Sequence, residues 1–238
     1  MQPLVVIRPE PGASATLRAG RAIGLDMRVF PLFEVRALDW EPVPPGDVDA
    51  LLLGSANALR HGGPALDRYR GLPAYVVGQA TAAAAREAGL EVAAIGSGGL
   101  QQVLGRLAPG HSRLLRLAGR ERVDLSIPAG VTVTTRDVYA SEPLAFPAEL
   151  TSLLACPAVI LLHSGEAAAH FAKSCAEAGV DRAKLSLAAI GPRVAARAGA
   201  GWAALRSASE PGDAALLALA FQMCQDTGTG SHKLNKTP

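Results

Sequence analysis

Ala158-Val-Ile-Leu-Leu162-His-Ser164-Gly-Glu166 is the stretch that decides the fold. Five apolar residues run without alternation, stop at a Ser-Gly turn and give way to an alanine-rich segment from Ala167. A strand reads this way when both its faces are buried, as in a parallel sheet covered by helices. Working outward, the same reading takes 4–7, 50–53, 74–77, 113–117, 131–134 and 187–190 as further strands. Between them, 13–23, 56–60, 80–88, 100–107, 167–178, 194–198 and 214–223 read as helices. Alternation of the two argues for an α/β fold with parallel sheets and flanking helices. Gly24, Gly89 and Gly179 each follow a helical run and precede an apolar residue (Leu25, Leu90, Val180), the signature of a left-handed glycine that ends a helix.

The deciding stretch has a counterpart. Leu51-Leu-Leu-Gly-Ser55-Ala-Asn57 resembles Ile160-Leu-Leu-His-Ser164-Gly-Glu166, and Tyr75-Val-Val-Gly78 resembles Ala188-Ala-Ile-Gly191. Gly96-Ser97-Gly-Gly99 and Ser209-Glu-Pro211-Gly-Asp213 then each precede a leucine-containing helix. Three landmarks in the same order argue for an internal duplication. Two longer extended segments, Phe30–Leu38 and Asp137–Leu144, interrupt the rhythm at places suited to domain boundaries, and could pair as a two-stranded connector.

Composition narrows the function classes. In 238 residues, 49% are hydrophobic and 18% charged, enough apolar content for packed cores and too little charge for a disordered chain. A net charge of +2 argues against general nucleic-acid binding, and 4% aromatics against a single-strand stacking platform. Cys156, Cys175 and Cys224 are odd in number and unpaired in spacing, which reads as free thiols. The longest apolar run, Leu153–Leu162, contains Pro157 and is only ten residues, against about 20 for a membrane helix. A soluble, cytoplasmic protein is the expectation, with a disordered polar tail over 225–238.

The chemistry collects at strand ends. Gly54-Ser55-Ala56, Gly78-Gln79-Ala80-Thr81, Ser97-Gly98-Gly99, Ser164-Gly165 and Gly191-Pro192-Arg193 each open a helix. Such turns offer unpaired N–H groups with a positive helix end behind them, and ligands of open α/β sheets bind beyond the carboxyl ends of strands. Taken together they suit a ligand carrying many carboxylates; the plainer reading is that each Ser or Thr caps its own helix. Arg113, Arg116, Arg120 and Arg122 surround Gly119, and Arg8 follows the first strand. Arg116 and Arg120, which flank a strand end, and Arg8 could meet acidic groups bidentately, or the group could form a solvated basic face. Tyr139 lies in the second extended segment, where a phenol could donate a proton to a leaving hydroxyl or simply pack. His163 precedes Ser164 and reads as a buried, hydrogen-bonded histidine. Neither a G-x-G-x-x-G fingerprint after a strand nor a Walker lysine motif occurs, which weakens nucleotide readings.

In its ordered set of motifs the chain resembles the uroporphyrinogen-III synthase family. The pieces are Val6-Ile-Arg8-Pro9, Leu52-Leu-Gly-Ser55-Ala-Asn-Ala58, Val76-Val-Gly78-Gln-Ala-Thr81-Ala82, Asp137-Val-Tyr139, Ile160-Leu-Leu-His-Ser164-Gly-Glu-Ala-Ala168, Ala189-Ile-Gly191-Pro192 and Ser209-Glu-Pro211. The resemblance runs nearly the whole chain to about residue 220, and it is carried by order rather than by any one motif.

What the resemblance implies is specific. Two similar parallel-sheet α/β domains would be joined by a two-stranded connector, with the active site in the cleft between them. Residues 1–30 and 146–222 would form the first domain, 41–137 the second, and 31–40 with 138–145 the connector. The family cyclises the linear tetrapyrrole hydroxymethylbilane to uroporphyrinogen III, inverting the last ring and expelling water, without cofactor or metal. Tyr139 would correspond to the acid for hydroxyl loss, and Ser55, Thr81, Ser164 and the Gly191-Pro192 turn to substrate contacts. Ala56, Gln79, Ala80, Ser97, Gly165, Arg8, Arg116 and Gly119 complete the expected set. One departure stands at Arg193-Val194, where the family often has Ser or Thr, so that Arg193 or the backbone would substitute for a hydroxyl contact. A monomer is implied, with at most transient contact to the enzyme that supplies the bilane. The alternative reading is a non-catalytic two-lobed binding or sensor module for an anionic metabolite, which would not need Tyr139.

Overall fold

The structure, a computed structural model, describes residues 2–229. The chain divides into two compact units: one takes both chain ends, up to Glu34 and from Pro143, and the other is Val35–Glu142.

The first unit is built on a five-stranded sheet. Its strands are β1 (Leu4–Val6), β2 (Met27–Val29), β9 (Ala158–Leu162), β10 (Leu185–Ala189) and β11 (Ala204–Ser207), in the order β11-β10-β9-β1-β2. Every pairing is parallel. Side chains alternate across a strand, so each strand feeds two cores. Val5, Ile160, Leu162 and Leu187 face α5 (Ala148–Leu153), α6 (Gly165–Glu177) and α7 (Pro192–Ala198), around Leu150, Phe171 and Cys175. Leu4, Val6, Val159 and Leu161 face α1 (Gly12–Ala22) and α8 (Asp213–Thr229), around Ala13, Leu216, Leu217 and Ala220. Two-sided burial is the reason β9 reads as an unbroken apolar run.

The second unit carries six strands: β3 (Phe33–Ala37), β4 (Ala50–Leu53), β5 (Pro73–Val77), β6 (Glu91–Gly96), β7 (Arg113–Gly119) and β8 (Thr132–Pro143), in the order β3-β8-β7-β4-β5-β6. The strands from β8 to β6 run parallel. Around β3, the amide of Leu38 donates to the Val138 carbonyl and that of Leu144 to Leu32, so β3 runs against β8. Leu51, Leu53, Val76, Leu115 and Leu117 pack with Ala58 of α2 (Asn57–His61), Ala82 and Ala85 of α3 (Gln79–Glu87), and Tyr69. On the other face Leu52, Tyr75 and Leu114 pack with Val103 and Leu104 of α4 (Leu100–Leu104).

Taken in the opposite direction, the second sheet is β6-β5-β4-β7-β8 before β3, and the first is β11-β10-β9-β1-β2. The sequence repeat falls on this match: Ser55 and Ser164 follow β4 and β9, Gly78 and Gly191 follow β5 and β10, and Ser97 and Ser209 follow β6 and β11. The two units share one strand arrangement. In the first unit, β1 and β2 come before the repeated trio along the chain; in the second, β7 and β8 come after it.

The α/β class with two parallel sheets is as expected from sequence, and so are the helix-ending glycines: Gly24, Gly89 and Gly179 have φ of 80°, 79° and 66°. Four elements have no counterpart in the sequence reading: strands β2, β6 and β11 and helix α5. The three strands are all sheet edges, where one side lacks a neighbour and the sequence need not be apolar throughout. Of the tail expected to be disordered, 225–229 is the last part of α8, because the helix continues to Thr229; residues 230–238 lie outside the described residues. No helix among the described residues is long and apolar enough to cross a membrane.

Candidate functional site

In the second unit the parallel run from β8 to β6 brings all its carboxyl ends to one edge of the sheet. Tyr139 is at that edge. The register between β7 and β8 slips there: Ala118 pairs with Asp137, but Gly119 pairs with Tyr139. Such a bulge re-aims the side chains beside it. The phenol ring lies directly over Gly119, where a methyl group would sit 2.7 Å from Cε2, 2.8 Å from Cζ and 3.1 Å from the hydroxyl oxygen. Only glycine leaves room for that ring. The backbone N–H of Arg120 donates to the Tyr139 carbonyl at 2.9 Å, closing the bulge. The His61 ring stands 6.2 Å from the Tyr139 ring, centroid to centroid, and burial followed by the charge of Arg60 lowers its pKa from the usual histidine value.

The loop after β7 is tied down by polar contacts. The Arg122 guanidinium pairs with Asp137 and donates to the carbonyls of Gly119 (3.3 Å) and Arg120 (3.2 Å). Gln101 clasps Ser126 through both amide atoms, at 3.0 and 2.8 Å. Arg116 sits inside β7, 7% exposed; its Nη2 donates to the Val123 carbonyl at 2.9 Å and its Nε is buried without a partner. Burial, then the nearby Arg122 cation, lowers the Arg116 pKa, while Asp124, Asp137 and Tyr139 favour its charge. Arg113 is at the amino end of β7, bound to Asp49 through Nη2 at 2.6 Å. The four arginines around Gly119 therefore do not form one basic face: one is at the opposite edge and one is buried.

The turns differ from one another in what they leave available. The Ser55 hydroxyl accepts from the Asn57 amide at 3.2 Å, beside the buried Ala56. No side chain caps α3, so the amides of Gln79, Ala80 and Thr81 have no acceptor within the helix. Gln79 and Ala80 are the more accessible of the three, whereas Thr81 is 4% exposed. Ser97 is exposed just before α4.

In the first unit, Ser164 accepts from the Ala167 amide at 3.1 Å and caps α6. Gly165 lies against Arg197, whose Cγ would be 3.0 Å from an added methyl. Pro192 opens α7, which no side chain caps, and Arg193 beside it is exposed. Arg8, beyond β1, binds Asp213 at 3.0 Å. His163 departs from the sequence reading. Its side chain is buried, at 5% exposure, but neither ring nitrogen makes a hydrogen bond; Nε2 lies 3.3 Å from Asp213 Oδ1 without the alignment of one. Asp213 and Thr16, which complete this group, escape a sequence reading because nothing local links them to Arg8. His61 escapes it for the same reason.

Cavities of about 360 Å³ beside Phe146 and His170, and about 210 Å³ beside Val43 and Arg113, contain none of the expected site residues. Among the described residues no group of three or more His, Cys, Asp or Glu could hold a metal ion.

A family model described as uroporphyrinogen-III synthase HemD matches residues 14–218. The chain belongs to the uroporphyrinogen-III synthase family. The function that goes with membership is uroporphyrinogen-III synthesis, and the binding-module alternative is not favoured. Solved uroporphyrinogen-III synthases share the fold. The Helicobacter pylori protein is 17% identical, with a TM-score of 0.65 over 94% of this chain and 100% of that one. A mutant synthase from the extremely thermophilic bacterium Thermus thermophilus is 15% identical, with a TM-score of 0.53 over 95% and 100%. At these identities the likeness speaks to fold alone. No curated protein matches the chain in sequence.

Proposed function

We propose that the chain is a lyase that closes hydroxymethylbilane to uroporphyrinogen III, with Tyr139 as the general acid. The Tyr139 hydroxyl gives its proton to the terminal hydroxyl of the bilane; the C–O bond breaks and water leaves. The electron-rich pyrrole stabilises the resulting azafulvene cation. Attack by the substituted carbon of the last ring gives a spiro intermediate, whose opening and reclosure invert that ring. Loss of a proton at the end restores the phenol. Spontaneous closure gives the non-inverted isomer, so the protein's task is to hold a flexible polycarboxylate in one geometry.

The observation that carries this reading is the phenol of Tyr139 set over Gly119 by a bulge, at the edge where the strand-end turns of its unit collect. The uncapped amides of Gln79 and Ala80 and the turns at Ser55 and Ser97 supply donors beside it, and Arg8, Ser164, Gly165 and Arg193 supply them in the other unit, where Pro192 has no N–H and only shapes its turn. In this reading Arg116 supports the loop and leaves the carboxylates to other groups, because its guanidinium is buried. The test is Tyr139→Phe assayed with hydroxymethylbilane: turnover to the type III isomer should fall by about 10²-fold or more, the usual contribution of a general acid. An unchanged rate would remove Tyr139 from the chemistry.

A further inference from the structure

Asp213 opens α8 and gathers three side chains from elsewhere in its unit. Arg8 Nη1 donates to both its oxygens, at 3.0 and 3.2 Å. The fully buried Thr16 donates to Oδ2 at 2.7 Å and accepts from Arg8 Nη1 at 3.3 Å. His163 Nε2 is 3.3 Å from Oδ1. The close approach of His163 Nε2, short of an aligned hydrogen bond, then the Thr16 hydroxyl and the Arg8 cation, hold the Asp213 carboxyl down at about 2 against a burial that would raise it, so it is a carboxylate at neutral pH.

All of these contacts fall on one guanidinium nitrogen of Arg8. Its other edge, Nε and Nη2, makes no hydrogen bond among the described residues. That edge lies beside Gly12, where a methyl group would come within 2.4 Å of Nε and 2.8 Å of Nη2. Glycine at this position leaves room for the guanidinium, and the Arg8 side chain keeps 31% of its surface exposed. A guanidinium edge with two parallel N–H groups matches a carboxylate bidentately. An arginine loose at the end of its stem loses rotamer freedom when it binds, whereas one already fixed does not.

We propose that Asp213 is a positioning residue: with Thr16 it fixes Arg8 by Nη1 so that the Nε–Nη2 edge faces a carboxylate of the substrate. The inference rests on Arg8 being a substrate contact in the reading above. Steady-state formation of the type III isomer from hydroxymethylbilane tests it. Asp213→Asn should raise KM about tenfold and leave kcat within about twofold, since a contact made equally in ground and transition states is lost. Asp213→Glu should recover part of the loss. In an Arg8→Gln background, Asp213→Asn should add nothing to KM, because the two act as one unit. Thr16→Val, which keeps the volume and removes the hydroxyl, should raise KM in the same direction and provides the answer if Asp213→Asn does not fold. An unchanged or lowered KM in Asp213→Asn would overturn the inference; a lowered one would mean that Asp213 merely neutralises Arg8. An equal rise with Arg8 already replaced would also overturn it. Failure of the unsubstituted protein to make any type III isomer would overturn the functional reading itself, before any variant is compared.

Discussion

Tyr139 and Gly119 fit closely against one another, and each is open to a single substitution. Tyr139→Phe removes one oxygen from a half-buried ring, so its melting temperature should stay within a few degrees while turnover drops. Gly119→Ala puts a methyl group 2.7 Å from the ring, so the Tyr139 ring or the strand beneath it must shift. It should lose activity and about 1–3 kcal/mol of stability together, measured by urea denaturation. The Asp213 carboxyl gives a pH signature. Its folded pKa, about 2, is below the ordinary carboxylate value of 3.8, so its contribution to stability is present above pH 4 and is lost as pH falls from about 4 through 2. The urea midpoint of the unsubstituted protein should therefore exceed that of Asp213→Asn at pH 6, and the gap should narrow below pH 4. A gap of constant size down to pH 2 would argue against the ionised cluster. At this scale the sequence is readable where local pattern sets local structure, as in the amide-binding hydroxyls of Ser55 and Ser164 beyond strand ends. It is silent on Asp213, because its partners Arg8 and Thr16 come from the other end of the chain. It does not reveal that Arg113 and Arg116, three apart in one strand, end up with different surroundings: one in an ion pair with Asp49, the other under the loop after β7.

Among the elements, legibility follows burial. Strands β4, β9 and the core of β7 are covered on both faces and announce themselves as apolar runs. Strands β2, β6 and β11 have Arg28, Glu91 and Arg206 within them and lie at sheet edges, so no run survives to be read. Helix α6 offers the clearest element-scale prediction. Ser164 is its N-cap through the Ala167 amide, so Ser164→Ala should cost about 1 kcal/mol in denaturant unfolding, typical of a lost cap. Ser164→Asp, which can accept the same bond, should cost less. If both variants unfold at the same denaturant concentration as the parent, the cap contributes nothing and the hydroxyl is free for other use.

For the molecule as a whole, the shared strand arrangement of the two units accounts for the repeated strand-turn-helix landmarks, since each unit needs the same turns at the same sheet edge. The order of motifs along the chain is enough to reach the family; the passage of the first unit through both chain ends cannot be derived from composition or periodicity alone, because neither records which distant segments pair. The central claim is that this protein directs ring inversion during cyclisation. The most direct measurement is incubation with hydroxymethylbilane, beside a protein-free control, followed by separation of the uroporphyrinogen isomers. The account predicts predominantly the type III isomer, formed faster than spontaneous closure. Type I isomer alone, at the rate of the control, would contradict it.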